Sequence, residues 1–130
     1  LKEYFKMMIA MKIMYFANVI VAGAISITSL FYPKTAQKSI FTDAFEYSES
    51  IRLIGALWFA IFVLSLIGLW YPKQMSLVFV FQLIYKSSWL LFAAIPAMMN
   101  AHPYPKAMAS FFLVWVIVLP FVIPWKEMLN

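Results

Sequence analysis

A chain of 130 residues that is 65% hydrophobic and 12% charged, with a mean hydropathy of +0.89, carries too much apolar surface for a water-soluble domain and reads as an integral membrane protein. The absence of cysteine excludes disulfides, thiolate metal sites and thiol redox chemistry, and a single histidine, His102, excludes a multi-histidine metal site within one chain. The net charge of +5 comes from basic residues scattered beside apolar runs, which suits anionic lipid headgroups and argues against nucleic acid.

The first residue is Leu rather than Met, so the natural chain is expected to begin earlier. Lys2 and Lys6 ahead of an apolar run, followed by Ala22-Gly23-Ala24, imitate a secretory signal with a small-residue cleavage site. That reading is set aside because the apolar run continues past the alanines. The run itself is the first span, Ile13 to Phe31, ended by Tyr32-Pro33.

The loop that follows differs in character. In SIFTDAFEYSES, Ile40, Phe41, Ala44 and Phe45 fall on one helical face, with Asp43, Glu46 and Glu49 elsewhere, which predicts a short amphipathic helix lying in the membrane interface. The three acids read as a solvated polar face, with a cation or partner site as the alternative. At the mouth of the second span Glu49 and Arg52, three residues apart, are expected to form an interfacial ion pair; a general acid/base pair is the less favoured reading.

The second span runs from Ile51 to Trp70, the third from Met75 to Ala97 and the fourth from Ala107 to Ile123, separated by Tyr71-Pro72 and by the Asn100–Lys106 stretch with Pro103 and Pro105. No period-two alternation suggests a barrel, so the expected fold is an all-α, single-domain, four-transmembrane-helix bundle. Both termini then share one side. That side carries Lys2, Lys6, Lys12, Lys73 and Lys126 against Lys34, Lys38, Arg52 and Lys106, which tips the termini towards the cytoplasm. Asn18, Ala22, Ser26 and Ser29 in the first span and Ala56 and Ala60 in the second are small or polar residues at helical spacing, suited to close helix packing.

The third span contains the costliest residue in the chain. In FQLIYKSSWLLF, Lys86 stands midway between Met75 and Ala97, roughly 16 Å from either end, and snorkelling along its stem falls short of water. It must therefore face the bundle or a partner protein. Glu46 and Glu49 lie roughly 15 Å away in depth. At matching depth stand Asn18, Gln82 one turn along the same helix, and the Val116 carbonyl, which Pro120 deprives of its helical donor. One turn further, Trp58, Trp89 and Trp115 form an aromatic layer, with Trp89 placed for a cation–π contact to Lys86. A buried layer of polar glue is the favoured reading. The alternatives are a site for the carbonyl or headgroup of a lipid, quinone or pigment such as a carotenoid, and a contact to another protein. His102, in an Ala-His-Pro loop, reads as exposed and neutral in role, with haem or chlorin ligation as the alternative. No phosphate-binding glycine loop and no Ser-His-Asp set occurs, so no catalytic residues and no required cofactor are expected.

Four strings, ESIRLIGALW, LSLIGLWYP, FQLIYKSSWLL and WVIVLPFVIPW, resemble the small four-span bacterial proteins grouped as DoxX-like, over about residues 49 to 125. The resemblance implies a bacterial inner-membrane protein and an association with quinone-linked oxidation or accessory membrane roles. It transfers no functional residue. A fainter likeness to four-span sterol-isomerase-like bundles is opposed by the lack of any acid inside a span. Taken together, the expectation is a non-catalytic accessory or scaffold subunit that packs against other membrane subunits, in a respiratory or photosynthetic assembly. The alternative is a stand-alone binder or carrier of a lipophilic ligand.

Overall fold

The computed structural model describes residues 1–44 and 46–130. Among them the secondary structure is entirely helical. Helix α1 spans Lys2–Phe31, α2 Pro33–Ser39 and α3 Ser50–Gly68. Helix α4 (Leu77–Trp89) continues through a π turn at Leu90–Ala94 into α5 (Ile95–Met99), and α6 (Lys106–Val122) and the short α7 (Trp125–Leu129) complete the chain. Three helices, Lys2–Phe31, Ser50–Gly68 and the continuous Leu77–Met99, are long and apolar enough to cross a membrane. Lys106–Val122 is apolar but, at 17 residues, shorter.

Prolines set most of the breaks. Pro33 occupies the first turn of α2, where its missing N–H costs nothing. Pro96 withholds the donor that Phe92 would need, and the chain widens just before it, with the Ile95 N–H donating to the Leu90 carbonyl five residues back. Helix α6 tolerates Pro120 but ends two residues later, because Ile123 precedes Pro124 and takes an extended ψ of 127°. The Pro120 carbonyl would ordinarily accept from residue 124, a proline. The indole Nε1 of Trp125 donates to it instead, at 2.8 Å.

Helix α1 begins eleven residues before the expected span start, since nothing in Lys2–Lys12 breaks a helix and Lys6 and Lys12 point outward. The added turns stay packed on the bundle, with Met11 buried in the core and Met7 and Met8 against it. Gly68, the last residue of α3, abuts the Tyr15 ring, and Tyr15 Oη donates to the Pro72 carbonyl at 2.6 Å. The α3–α4 loop is therefore level with Tyr15, and the part of α1 that carries Lys2, Lys6 and Lys12 projects past it. At this end Lys73 Nζ lies 4.5 Å from the centre of the Tyr4 ring.

The amphipathic helix expected within residues 39–50 does not form there among the described residues. The helix of this loop is α2, just upstream, and the chain then turns at Thr42 and Asp43 with φ of 51° and 53°, a left-handed conformation that no α-helix of L-residues continues through. Phe41 is buried and stacks on Trp58 with ring centres 5.9 Å apart, so it serves the core and not an interface. Phe45, counted on the same expected face, lies outside the described residues.

Helices α1 and α3 pack along each other as an antiparallel pair, and α4 packs along α6. In α3 the buried face is Ile51, Gly55, Trp58, Ile61, Ser65 and Gly68, and in α1 it includes Tyr15, Asn18, Ala22, Ser26 and Ser29. Ala56 and Ala60 point outward, contrary to expectation. Close approach is made by glycine instead: a Cβ on Gly55 would stand 2.7 Å from Ser29 Cβ, and one on Gly68 2.5 Å from the Tyr15 ring. The pairs meet chiefly through side chains, Tyr15 stacking on Phe79 at 4.4 Å and Asn18 bonding Gln82. The outer faces are apolar, as lipid contact requires: Phe5, Ile9, Ile13, Phe16, Ile20 and Ile27 form such a face on α1.

Candidate functional site

Asn18 on α1, Gln82 on α4 and Trp115 on α6 form one hydrogen-bonded cluster. Asn18 Nδ2 donates to Gln82 Oε1 at 2.8 Å, and Gln82 Nε2 donates back to Asn18 Oδ1 at 3.2 Å. Asn18 Oδ1 also accepts from Trp115 Nε1 at 3.0 Å. Asn18 and Gln82 are 1% and 2% exposed, so each amide satisfies the other where water is absent. Their shared depth follows from chain geometry: Asn18 lies one turn in from Tyr15, and Gln82 one turn beyond Phe79, the two rings that stack.

Lys86, one turn further along α4, is 7% exposed and makes no hydrogen bond or ion pair among the described residues. Its surroundings are aromatic. Nζ lies 4.0 Å from the centre of the Phe112 ring, 5.0 Å from that of Tyr85 and 5.8 Å from that of Trp115. Trp89, the expected cation–π partner, packs edge-on against Phe112 at 5.3 Å instead. Both side chains face α6 and meet the same Phe112 ring, the ammonium over it and the indole edge-on. The Val116 carbonyl does not bond Lys86 either; the α6 face presented to the lysine is that of Phe112 and Trp115. The buried hydroxyl of Tyr85 also lacks a hydrogen-bond partner among the described residues, although Trp58 and Gln82 are polar neighbours.

Two adjoining cavities surround these groups. The first, about 250 Å³, extends from Asn18 and Gln82 past Tyr85 and Lys86 to Ile40 and Ala107 at the end of the bundle away from the termini. The second, also about 250 Å³, is lined by Phe41, Ile54, Leu57, Phe81 and Trp89. Trp58, Ile61, Tyr85, Met108 and Phe112 line both. The three tryptophans expected as one layer are thus divided. Trp115 belongs to the polar cluster and the first cavity, Trp89 to the second, and Trp58 to both.

The Glu49–Arg52 pair forms at 3.8 Å but is exposed and lines neither cavity. Arg52 Nε also donates to the Leu30 carbonyl at 3.1 Å, capping the far end of α1. His102 is exposed in a surface cleft with Asp43 and Lys106. Among the described residues no cluster of three or more histidine, aspartate or glutamate side chains is placed to hold a metal. Tyr85 and Phe112 are site residues that sequence reasoning did not single out. Tyr85 is adjacent to Lys86 in the chain, a signal available from the start; Phe112 is one turn before Val116 and offers none without the rotation of α6.

Comparison of the chain with protein-family models, with curated proteins and with solved structures finds no match.

Proposed function

We propose that the protein is a four-span integral membrane protein of the bacterial inner membrane, termini cytoplasmic, that holds a lipophilic small molecule in the paired cavities around Lys86. One observation carries this reading: Lys86 lines a cavity without a hydrogen-bond partner among the described residues, and the Tyr85 hydroxyl, buried in the wall of the same cavity, has none either. A lysine serving only as polar glue would be satisfied by its neighbours, as Asn18 and Gln82 satisfy each other. Buried donors without acceptors are costly, and a ligand that supplies the acceptor removes that cost. The apolar lining around them suits the remainder of such a molecule. The role is binding or carriage, with no chemistry of its own.

Native mass spectrometry after gentle extraction from native membranes tests this. A small particle carrying a stoichiometric lipophilic mass is the expected result. Substituting Met108→Trp, which adds bulk at a residue lining both cavities, should weaken retention of that mass.

A second reading is the accessory subunit, favoured by bulky outward residues such as Phe92 and Phe121, 81% and 87% exposed. Its signature is co-migration with a large complex and no bound small molecule. The DoxX-like resemblance accommodates either reading and carries neither.

A further inference from the structure

We infer that the occupant of the Lys86 cavity is a single-chain amphiphile with a carboxylate head, in chemical class a long-chain fatty acid. This rests on the ligand-holding reading and specifies its ligand.

Charge is the first ground. The five acids of the chain, Glu3, Asp43, Glu46, Glu49 and Glu127, all lie outside the segments from Ile13 to Phe31, Ile51 to Trp70, Met75 to Ala97 and Ala107 to Ile123. No residue at the depth of Lys86 can therefore be its counterion. The rings of Phe112, Tyr85 and Trp115 attract a cation through their quadrupoles but carry no opposite charge. A buried charge left unpaired is among the most destabilising features a fold can contain, whereas an anionic ligand head completes the pair.

The donor inventory is the second. Asn18, Gln82 and Trp115 are engaged with one another. The Lys86 ammonium lines the cavity without a hydrogen-bond partner among the described residues, and the Tyr85 hydroxyl, buried within the cavity wall, is unpartnered as well. The ammonium is 5.0 Å from the centre of the Tyr85 ring, so a head paired with Lys86 sits against that ring. A neutral carbonyl offers one oxygen and no charge. A phosphomonoester would bring nearly two negative charges to a single cation.

Volume is the third. Two cavities of about 250 Å³ each fall at the lower limit of ligand pockets, which run from about 300 to 1,000 Å³. One acyl chain can leave the head at Lys86 and lie along Trp58 into the second cavity, among Phe41, Leu57 and Phe81. A second chain would have to lie outside the two cavities.

The test uses purified protein stripped of lipid in a mild non-ionic detergent, with a dibrominated stearate and its methyl ester as probes. Bromine quenches tryptophan fluorescence on contact, and Trp58, Trp89 and Trp115 all line the cavities. The acid should quench at a concentration about tenfold lower than the ester, the equivalent of about 1.4 kcal/mol. Lys86→Arg should keep that preference and Lys86→Met should abolish it. Lys86→Gln keeps a polar side chain and loses the charge. It should abolish the preference as well, and so serves should Lys86→Met fail to fold. Equal quenching by acid and ester overturns the carboxylate while leaving a lipophilic site in place. A preference for the acid that survives Lys86→Met or Lys86→Gln also overturns it, since the head then lies elsewhere. If neither probe quenches, the ligand-holding reading falls as well.

Discussion

Asn18 and Gln82, 64 residues apart in sequence, exchange two hydrogen bonds across the seam between the α1–α3 and α4–α6 pairs. Trp115 adds a third bond to the same Asn18 oxygen, so one small side chain ties three helices together. Asn18→Leu leaves the Gln82 amide and the Trp115 indole unsatisfied and should cost about 1–3 kcal/mol. Replacing Gln82 by Leu as well removes one of the orphans, so the double variant should be more stable than the sum of the single losses. Reversible unfolding in mixed micelles measures all three variants. Strict additivity would mean that the amide pair contributes nothing of its own.

Close packing of α1 on α3 depends on glycines. Gly68→Ala drives a methyl into the Tyr15 ring and should destabilise by about 1–3 kcal/mol. Combining it with Tyr15→Leu should relieve much of that strain, though Tyr15→Leu alone loses the bond to Pro72. Ala56→Leu, on the outward face, should be nearly neutral. Thermal melts in one detergent distinguish these cases.

The Glu49–Arg52 pair is exposed at both ends, so Glu49→Gln should change stability by less than about 0.5 kcal/mol. Arg52→Gln should cost more, about 0.5–1.5 kcal/mol, because it also removes the bond to the Leu30 carbonyl. Equal effects from the two substitutions would indicate that the ion pair, and not the backbone contact, is what matters.

Trp125→Phe takes away the donor that replaces the missing N–H of Pro124. The Pro120 carbonyl is left open, and α7 should loosen at a cost of about 1 kcal/mol. Faster amide exchange over residues 125–129, with α6 unchanged, is the expected signature.

Helix positions and the lengths of the connections were legible in the sequence, because apolar runs and prolines report on them directly. Helix rotation was harder to read. In a chain this apolar both the lipid-facing and the buried sides are hydrophobic, so hydrophobic periodicity does not choose between them. The buried faces are marked instead by small and polar residues: Asn18, Ser26 and Ser29 on α1, Gly55, Ser65 and Gly68 on α3, Gln82 and Lys86 on α4. Asn18 and Gln82 carry such markers and meet in the structure, although depth matching sets Asn18 level with Lys86 and Gln82 enters only by its four-residue spacing to the lysine. Helix α6 has none, being apolar from Phe111 to Leu119, and there the partner of Lys86 was misjudged. Ala56 and Ala60 misled for a related reason: small size suits either environment. The loop helix was misplaced because amphipathic spacing says nothing about φ, and the left-handed turn at Thr42 and Asp43 ends helical structure where the pattern continues.

The division into two helix pairs bears on how the molecule is made. Backbone packing is closest within α1–α3 and within α4–α6, each pair formed from neighbouring stretches of chain. The space around Lys86 lies between the pairs, so it comes into being only when the later hairpin closes against the earlier one. Until then the lysine has the rings of α6 on one side, but neither the amide of Asn18 nor the indole of Trp58 stands opposite to enclose it. Closure of the later hairpin on the earlier one and creation of the pocket around Lys86 are therefore a single step in the assembly of the fold.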